Sequence, residues 1–121
     1  MIGIDIVKTE RFKTFYEKFG RGGLKRFLNL AEQKLVFDEK NKLKVSTVAG
    51  FWAVKEAVSK ALQVGIGSEL SFSDIIITKS ERNAPIVRFS MKAKRKFNVK
   101  DIAVSISHDG DYTVAVAFIQ I

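Results

Sequence analysis

Alanine recurs at every fourth position from Ala49 through Ala53 and Ala57 to Ala61, and this pattern constrains the fold more than any other feature of the chain. At about 3.6 residues per turn the four lie close together on a helix, small enough for another backbone to approach. The same stretch, Phe51-Trp52-Ala53-Val54-Lys55-Glu56-Ala57-Val58-Ser59-Lys60-Ala61-Leu62, sets Lys55, Glu56 and Lys60 among apolar residues. Trp52, Glu56, Ser59, Lys60 and Gln63 share one side of that helix, with the alanines close by. Spacing alone leaves two readings open. One is a surface Glu-Lys pair at i,i+4, worth about 0.2–0.5 kcal/mol; the other is an acid and a base placed for chemistry.

Around that helix the chain reads as α+β, with the long helix laid across an antiparallel sheet. Ile2, Ile4 and Ile6 alternate with Gly3, Asp5 and Val7, which predicts a short strand with Asp5 opposite the isoleucines. Phe12, Phe15, Tyr16 and Phe19 fall at helical spacing after Thr9, and Gly20, Gly22 and Gly23 end the run. Asn29 with Glu32 predicts a capping box and a helix through about Glu39. The long helix is expected from about Leu43 to Gln63, closed by Gly65 and Gly67. Strands are expected at 75–77 and 86–89, followed by one or two helical turns from Met91 to Phe97. A last hairpin then turns at Asp109-Gly110. No linker or repeat divides residues 1–121, and this length accommodates one domain.

A hydrophobic fraction of 46% excludes general disorder. No apolar run approaches the roughly 20 residues that span a bilayer. Asp5 and Lys8 interrupt the N-terminus before a signal sequence could form. The absence of cysteine removes disulfides and thiolate chemistry. A cytoplasmic location and no membrane association are therefore expected. The net charge of +8 is clustered, with seven bases against two acids in residues 8–26 and eight against one in residues 79–100. Such clusters draw anionic partners. Nucleic acid, an anionic membrane and an acidic protein all satisfy that charge.

Taken singly, the remaining polar residues have ordinary readings. Asp5 at a strand end would cap the helix after Thr9, and His108, the only histidine, would be a satisfied strand-end residue. In combination they read differently. Gly3-Ile4-Asp5-Ile6-Val7 followed by Glu10-Arg11, Trp52-Ala53-Val54-Lys55-Glu56-Ala57, and Ser105-Ile106-Ser107-His108 followed by Asp111-Tyr112 stand in a fixed order along the whole chain. Together they resemble the holo-acyl-carrier-protein synthases, the short bacterial class of phosphopantetheinyl transferases.

The resemblance implies transfer of phosphopantetheine from coenzyme A to a serine of an apo-acyl carrier protein, with fatty-acid synthesis the default pathway. It makes Asp5 and Glu56 magnesium ligands, and that ion favours one or two carboxylates plus substrate phosphates. Lys60 is implied to contact the diphosphate, Gly65 to let the backbone approach the cofactor, and His108 to touch the nucleotide. Arg11 and Arg26 are implied to dock the carrier protein. A homotrimer with sites at its interfaces is also implied. Lys55 belongs to the motif without a defined role. Two positions depart from the family pattern: Phe51 stands where many relatives have arginine, and Gln63-Val64-Gly65 replaces Gly-Thr-Gly. Bases within 79–100 are candidates to compensate for Phe51. The rival reading is a basic nucleic-acid-binding module, which the charge and the 11% aromatic content permit.

Overall fold

The computed structural model describes residues 1–121. Ten elements follow in order: β1 (Ile2–Lys8), α1 (Glu10–Leu24), α2 (Leu30–Leu35), α3 (Val45–Ala61), a 3-10 turn (Phe72–Asp74), β2 (Ile75–Lys79), β3 (Pro85–Phe89), α4 (Met91–Phe97), β4 (Asp101–Asp109) and β5 (Tyr112–Gln120). The expected α+β architecture is present, with α3 packed across an antiparallel sheet of order β1-β5-β4. A second sheet, β2-β3, stands beside it rather than extending it. β3 runs next to β4 without a ladder between them.

The alanines explain how close the layers come. Ala49, Ala53, Ala57 and Ala61 are all buried, and Gly3 of β1 lies directly on the α3 backbone. A Cβ at Gly3 would collide with the Ala57 carbonyl oxygen and the Ala61 backbone nitrogen. One face of β5, Thr113, Ala115, Ala117 and Ile119, is buried toward α3. The opposite face of the sheet exposes Ile2, Ile4, Ile6 and Phe118.

Several boundaries differ from expectation for local reasons. α1 breaks at Gly20 (φ 59°, ψ −152°), where the sequence predicted its end, but a further helical segment carries it to Leu24. α2 begins with the predicted reciprocal Asn29–Glu32 cap but stops at Leu35, not Glu39. There the Asp38 carboxylate accepts from the backbone N–H groups of Lys40 and Lys42, both at 2.9 Å, and so takes the chain into a turn. α3 ends at Ala61 because Gln63 adopts φ 62°. Its N–H and that of Val64 bond back to Lys60 O and Ser59 O, at 3.0 and 3.2 Å. This is a Schellman closure with glutamine where glycine is usual. In the final hairpin Asp109 pairs with Tyr112, so the central turn residues are Gly110-Asp111. Gly110 has φ 56°, as a first-position glycine does in a type II′ turn.

Candidate active site

β1 and α3 together build an acidic centre. The alternation of β1 turns Asp5 toward the helix while the isoleucines face away. Asp5 Oδ1 accepts from Lys60 Nζ at 2.9 Å, and the same ammonium donates to Ile4 O at 3.1 Å. Asp5 does not cap α1. Its Oδ2 is buried and has no hydrogen-bond partner, the only such side-chain atom in the molecule.

Glu56 is half-buried beside this group. Desolvation pushes its carboxyl above the usual glutamate range and the charge of Asp5 adds to the effect, while Lys60 and Arg11 oppose it. Two carboxylates, one with an unsatisfied buried oxygen and the other resisting ionisation, form a cation-seeking arrangement. No cluster of three or more histidine and carboxylate ligands occurs. The donor set fits a hard divalent ion that takes few protein ligands and completes its shell with water or phosphate. Lys60 lies one turn beyond Glu56, and Gly65 follows the helix at φ 68° with open space where a Cβ would stand. Ser59, expected on the same side as Glu56 and Lys60, is instead buried, its hydroxyl donating to Glu56 O at 2.7 Å.

His108 belongs to a second, basic centre at the other end of α3. A cleft of ≈ 180 Å³ is lined by Ser46, Thr47, Gly50, Lys79, Asn83 and His108, among others. His108 Nδ1 is held by the buried Thr113 hydroxyl at 2.8 Å, which is itself 2.8 Å from Thr9 Oγ1. Lys79 Nζ lies 5.6 Å from the ring centroid of the buried Phe51. Burial pushes the Lys79 ammonium down, and nearby Lys44 pushes it further. The first turn of α3 carries no acid and no side-chain cap. Its amide dipoles therefore add to the positive field of the cleft. Among the bases of residues 79–100 that could compensate for Phe51, Lys79 is the one that stands beside it. Asn83 and Thr113 were not foreseen, because neither belongs to a motif.

The two arginines assigned to docking sit at opposite ends of α1. Arg26 stacks over Phe19 at 4.9 Å. Arg11 lies 5.3 Å from the ring centroid of Trp52 and 5.2 Å from that of Phe12, near enough for its charge to bear on Glu56. α1 thus begins next to the acidic centre.

This fold and these two centres define a class. The model of the 4′-phosphopantetheinyl transferase superfamily matches residues 1–117, and the chain belongs to that superfamily. Within it the chain is 50% identical over 120 residues to the holo-[acyl-carrier-protein] synthase of Sulfurimonas denitrificans, covering 99% of this chain and 94% of that protein. The crystal structure of the Helicobacter pylori holo-[acyl-carrier-protein] synthase in complex with coenzyme A superposes with a TM-score of 0.91 at 46% identity, over 99% of this chain and 100% of that one. The Neisseria meningitidis synthase superposes with a TM-score of 0.86 at 25% identity, over 99% of this chain and 97% of that one. The nucleic-acid reading gains no support. Phe12 and Phe27 are buried, and Phe15 and Tyr16 pack against the core instead of interleaving with bases on a strand. No helix is long and apolar enough to cross a membrane.

Proposed function

We propose that this chain transfers the 4′-phosphopantetheine group of coenzyme A to a serine hydroxyl of an apo-acyl carrier protein, releasing adenosine 3′,5′-bisphosphate. The observation that carries the reading is the unpartnered Asp5 Oδ2 beside Glu56, joined to Lys60 by an ion pair. Asp5 and Glu56 would hold magnesium, which when bound neutralises charge on the diphosphate. The serine oxygen forms a bond to the β-phosphorus as the bond to the α-phosphate oxygen breaks. The serine proton passes to one of the two carboxylates or to a water beside them, with Glu56 or its water the favoured acceptor. The Lys60 ammonium stabilises the departing nucleotide phosphate, and Gly65 leaves room for the cofactor to lie along the backbone.

The nucleotide phosphate or ribose lies against His108 in the basic cleft, with Lys79 supplying the cation that Phe51 lacks. Arg11 and Arg26 take the acidic carrier protein, for which the clustered bases of residues 8–26 provide steering. Gly50, in the cleft, and Lys60, at the acidic centre, are about 15 Å apart along α3 at 1.5 Å per residue. In the proposed assembly one protomer's carboxylates face another's cleft. The apolar outer face of the sheet supports the proposed homotrimer: Ile2, Ile4, Ile6 and Phe118 are 58–68% exposed in the single chain. Cytoplasm is the proposed compartment.

The test incubates the protein with coenzyme A, magnesium and an apo carrier protein, and weighs the carrier by mass spectrometry. A phosphopantetheinyl mass gain is expected for the natural sequence and its loss in Asp5→Ala and Glu56→Ala. A folded, natural-sequence protein that gives no gain overturns the proposal.

A further inference from the structure

Lys55 is the one charged member of the long-helix motif that the proposed chemistry leaves unused. It is fully buried. Its Nζ donates to Glu32 Oε1 at 2.8 Å, to Phe27 O at 2.8 Å and to Phe72 O at 3.1 Å, which satisfies all three ammonium protons. Glu32 is equally committed. Oε1 also accepts from Asn29 N at 2.8 Å, and Oε2 accepts from Ile77 N at 2.8 Å. A buried ion pair of this kind seldom stabilises a fold more than apolar residues of the same volume would. What it holds in place is therefore the better guide to its use.

It holds the walls around Trp52. Phe27 and Phe72, whose carbonyls Lys55 grips, each place their rings 5.1 Å from Trp52, at 86° and 41°. Trp52 lies three residues before Lys55 on α3, and its indole carries the Arg11 guanidinium at 5.3 Å. One ammonium thus gathers the segment after α1, the turn before β2 and the helix α3 around a single indole.

We propose that the Lys55–Glu32 pair is a positioning device: by holding Phe27 and Phe72 it fixes Trp52 as the platform for Arg11, and so sets how Arg11 meets an acidic carrier protein. The inference rests on the proposed reading of Arg11 as a carrier contact. A device of this kind acts chiefly on carrier recognition, and reaches coenzyme A only through the charge of Arg11 on Glu56, the smallest influence on that carboxyl.

The test uses the full chain with Lys55→Met, Arg11→Ala and their double variant, each confirmed folded by circular dichroism. Apo carrier protein and coenzyme A are varied separately, and the fluorescence of Trp52, the only tryptophan, is recorded. Lys55→Met should raise the KM for the carrier about fivefold or more, with the KM for coenzyme A changed less than about twofold. Its emission should shift to longer wavelength, and the double variant should be no worse than Arg11→Ala alone. Additive losses, or an unchanged carrier KM in folded Lys55→Met, overturn the inference. Glu32→Gln/Lys55→Met repeats the test without a lone buried charge, should the single variant fold poorly. Phe72→Leu, run in parallel, keeps the pair and removes one wall. It too should raise the carrier KM and shift the emission, and unchanged values overturn the inference. A natural-sequence protein inactive on the carrier counts instead against the proposed function.

Discussion

At the scale of single residues, the molecule concentrates its electrostatic tension at Asp5 and Glu56. The Glu56 carboxyl is raised by burial first and by Asp5 second. Ionising it therefore costs the folded state more than the unfolded one. As pH rises from the ordinary glutamate range through the raised value, the metal-free protein should lose stability; below that window the cost is absent. Glu56→Gln should accordingly raise Tm at neutral pH without metal and flatten the decline across that window. Magnesium should raise the Tm of the natural sequence and leave that of Glu56→Gln nearly unmoved. Equal magnesium shifts in both would remove Glu56 from the cation site. Asp74 behaves in the opposite sense. Burial works to raise its carboxyl, but hydrogen bonds from Ser90 and Ser71, with help from Lys92, prevail and lower it. Its contribution should be present above the ordinary aspartate range and fade as pH falls through the lowered value. Asp74→Asn should cost about 1–3 kcal/mol in urea unfolding at neutral pH, and the gap should close in acid. Asp5, Glu56, Lys60 and His108 could be singled out because each sits in a local motif; the structure brings the first three together and sets His108 in a separate cleft. The partners of Glu32 were not: Lys55 lies 23 residues away and Ile77 45 residues away, and no local pattern encodes such contacts.

At the scale of elements, one glycine decides whether the acidic centre forms. Gly3 lets β1 lie on the α3 backbone, and that contact carries Asp5 toward Glu56. Gly3→Ala should push the strand away, destabilise the fold by about 3 kcal/mol and abolish transfer even in the folded fraction. Unaltered activity would show that the contact does not set the site. Gln63 presents the reverse case, a side chain in the left-handed conformation that closes α3. Gln63→Gly should relieve about 1 kcal/mol of that strain, partly offset by added chain entropy, and raise Tm slightly. A fall in Tm would mean that the glutamine side chain contributes more than its backbone costs. Elements were readable where periodicity and capping agreed, as in α3 and the Asn29–Glu32 box. They differ where local turn chemistry diverts the backbone: the Asp38 turn keeps the chain beyond Leu35 from running on as helix to Glu39, and Gly110 moves the turn centre of the last hairpin by one residue.

At the scale of the whole molecule, the α+β class was readable from the order of strands and helices. The division into two sheets was not, because adjacency of β3 and β4 without a ladder leaves no mark on either sequence. The outer face of β1-β5-β4 was also hidden: an isoleucine alternation looks the same whether it faces a core or another copy. Ile4→Asp should dissociate the proposed trimer, lowering the sedimenting mass toward the 13.6 kDa of one chain, and transfer should fall with it. A natural sequence that sediments as a monomer while fully active would confine the site to one chain. The most direct measurement is calorimetric titration of coenzyme A into the protein with magnesium and with a chelator. The expected result is that magnesium tightens binding in the natural sequence and that Asp5→Asn and Glu56→Gln each abolish the gain. Binding that tightens equally in all three would contradict a cation held between β1 and α3.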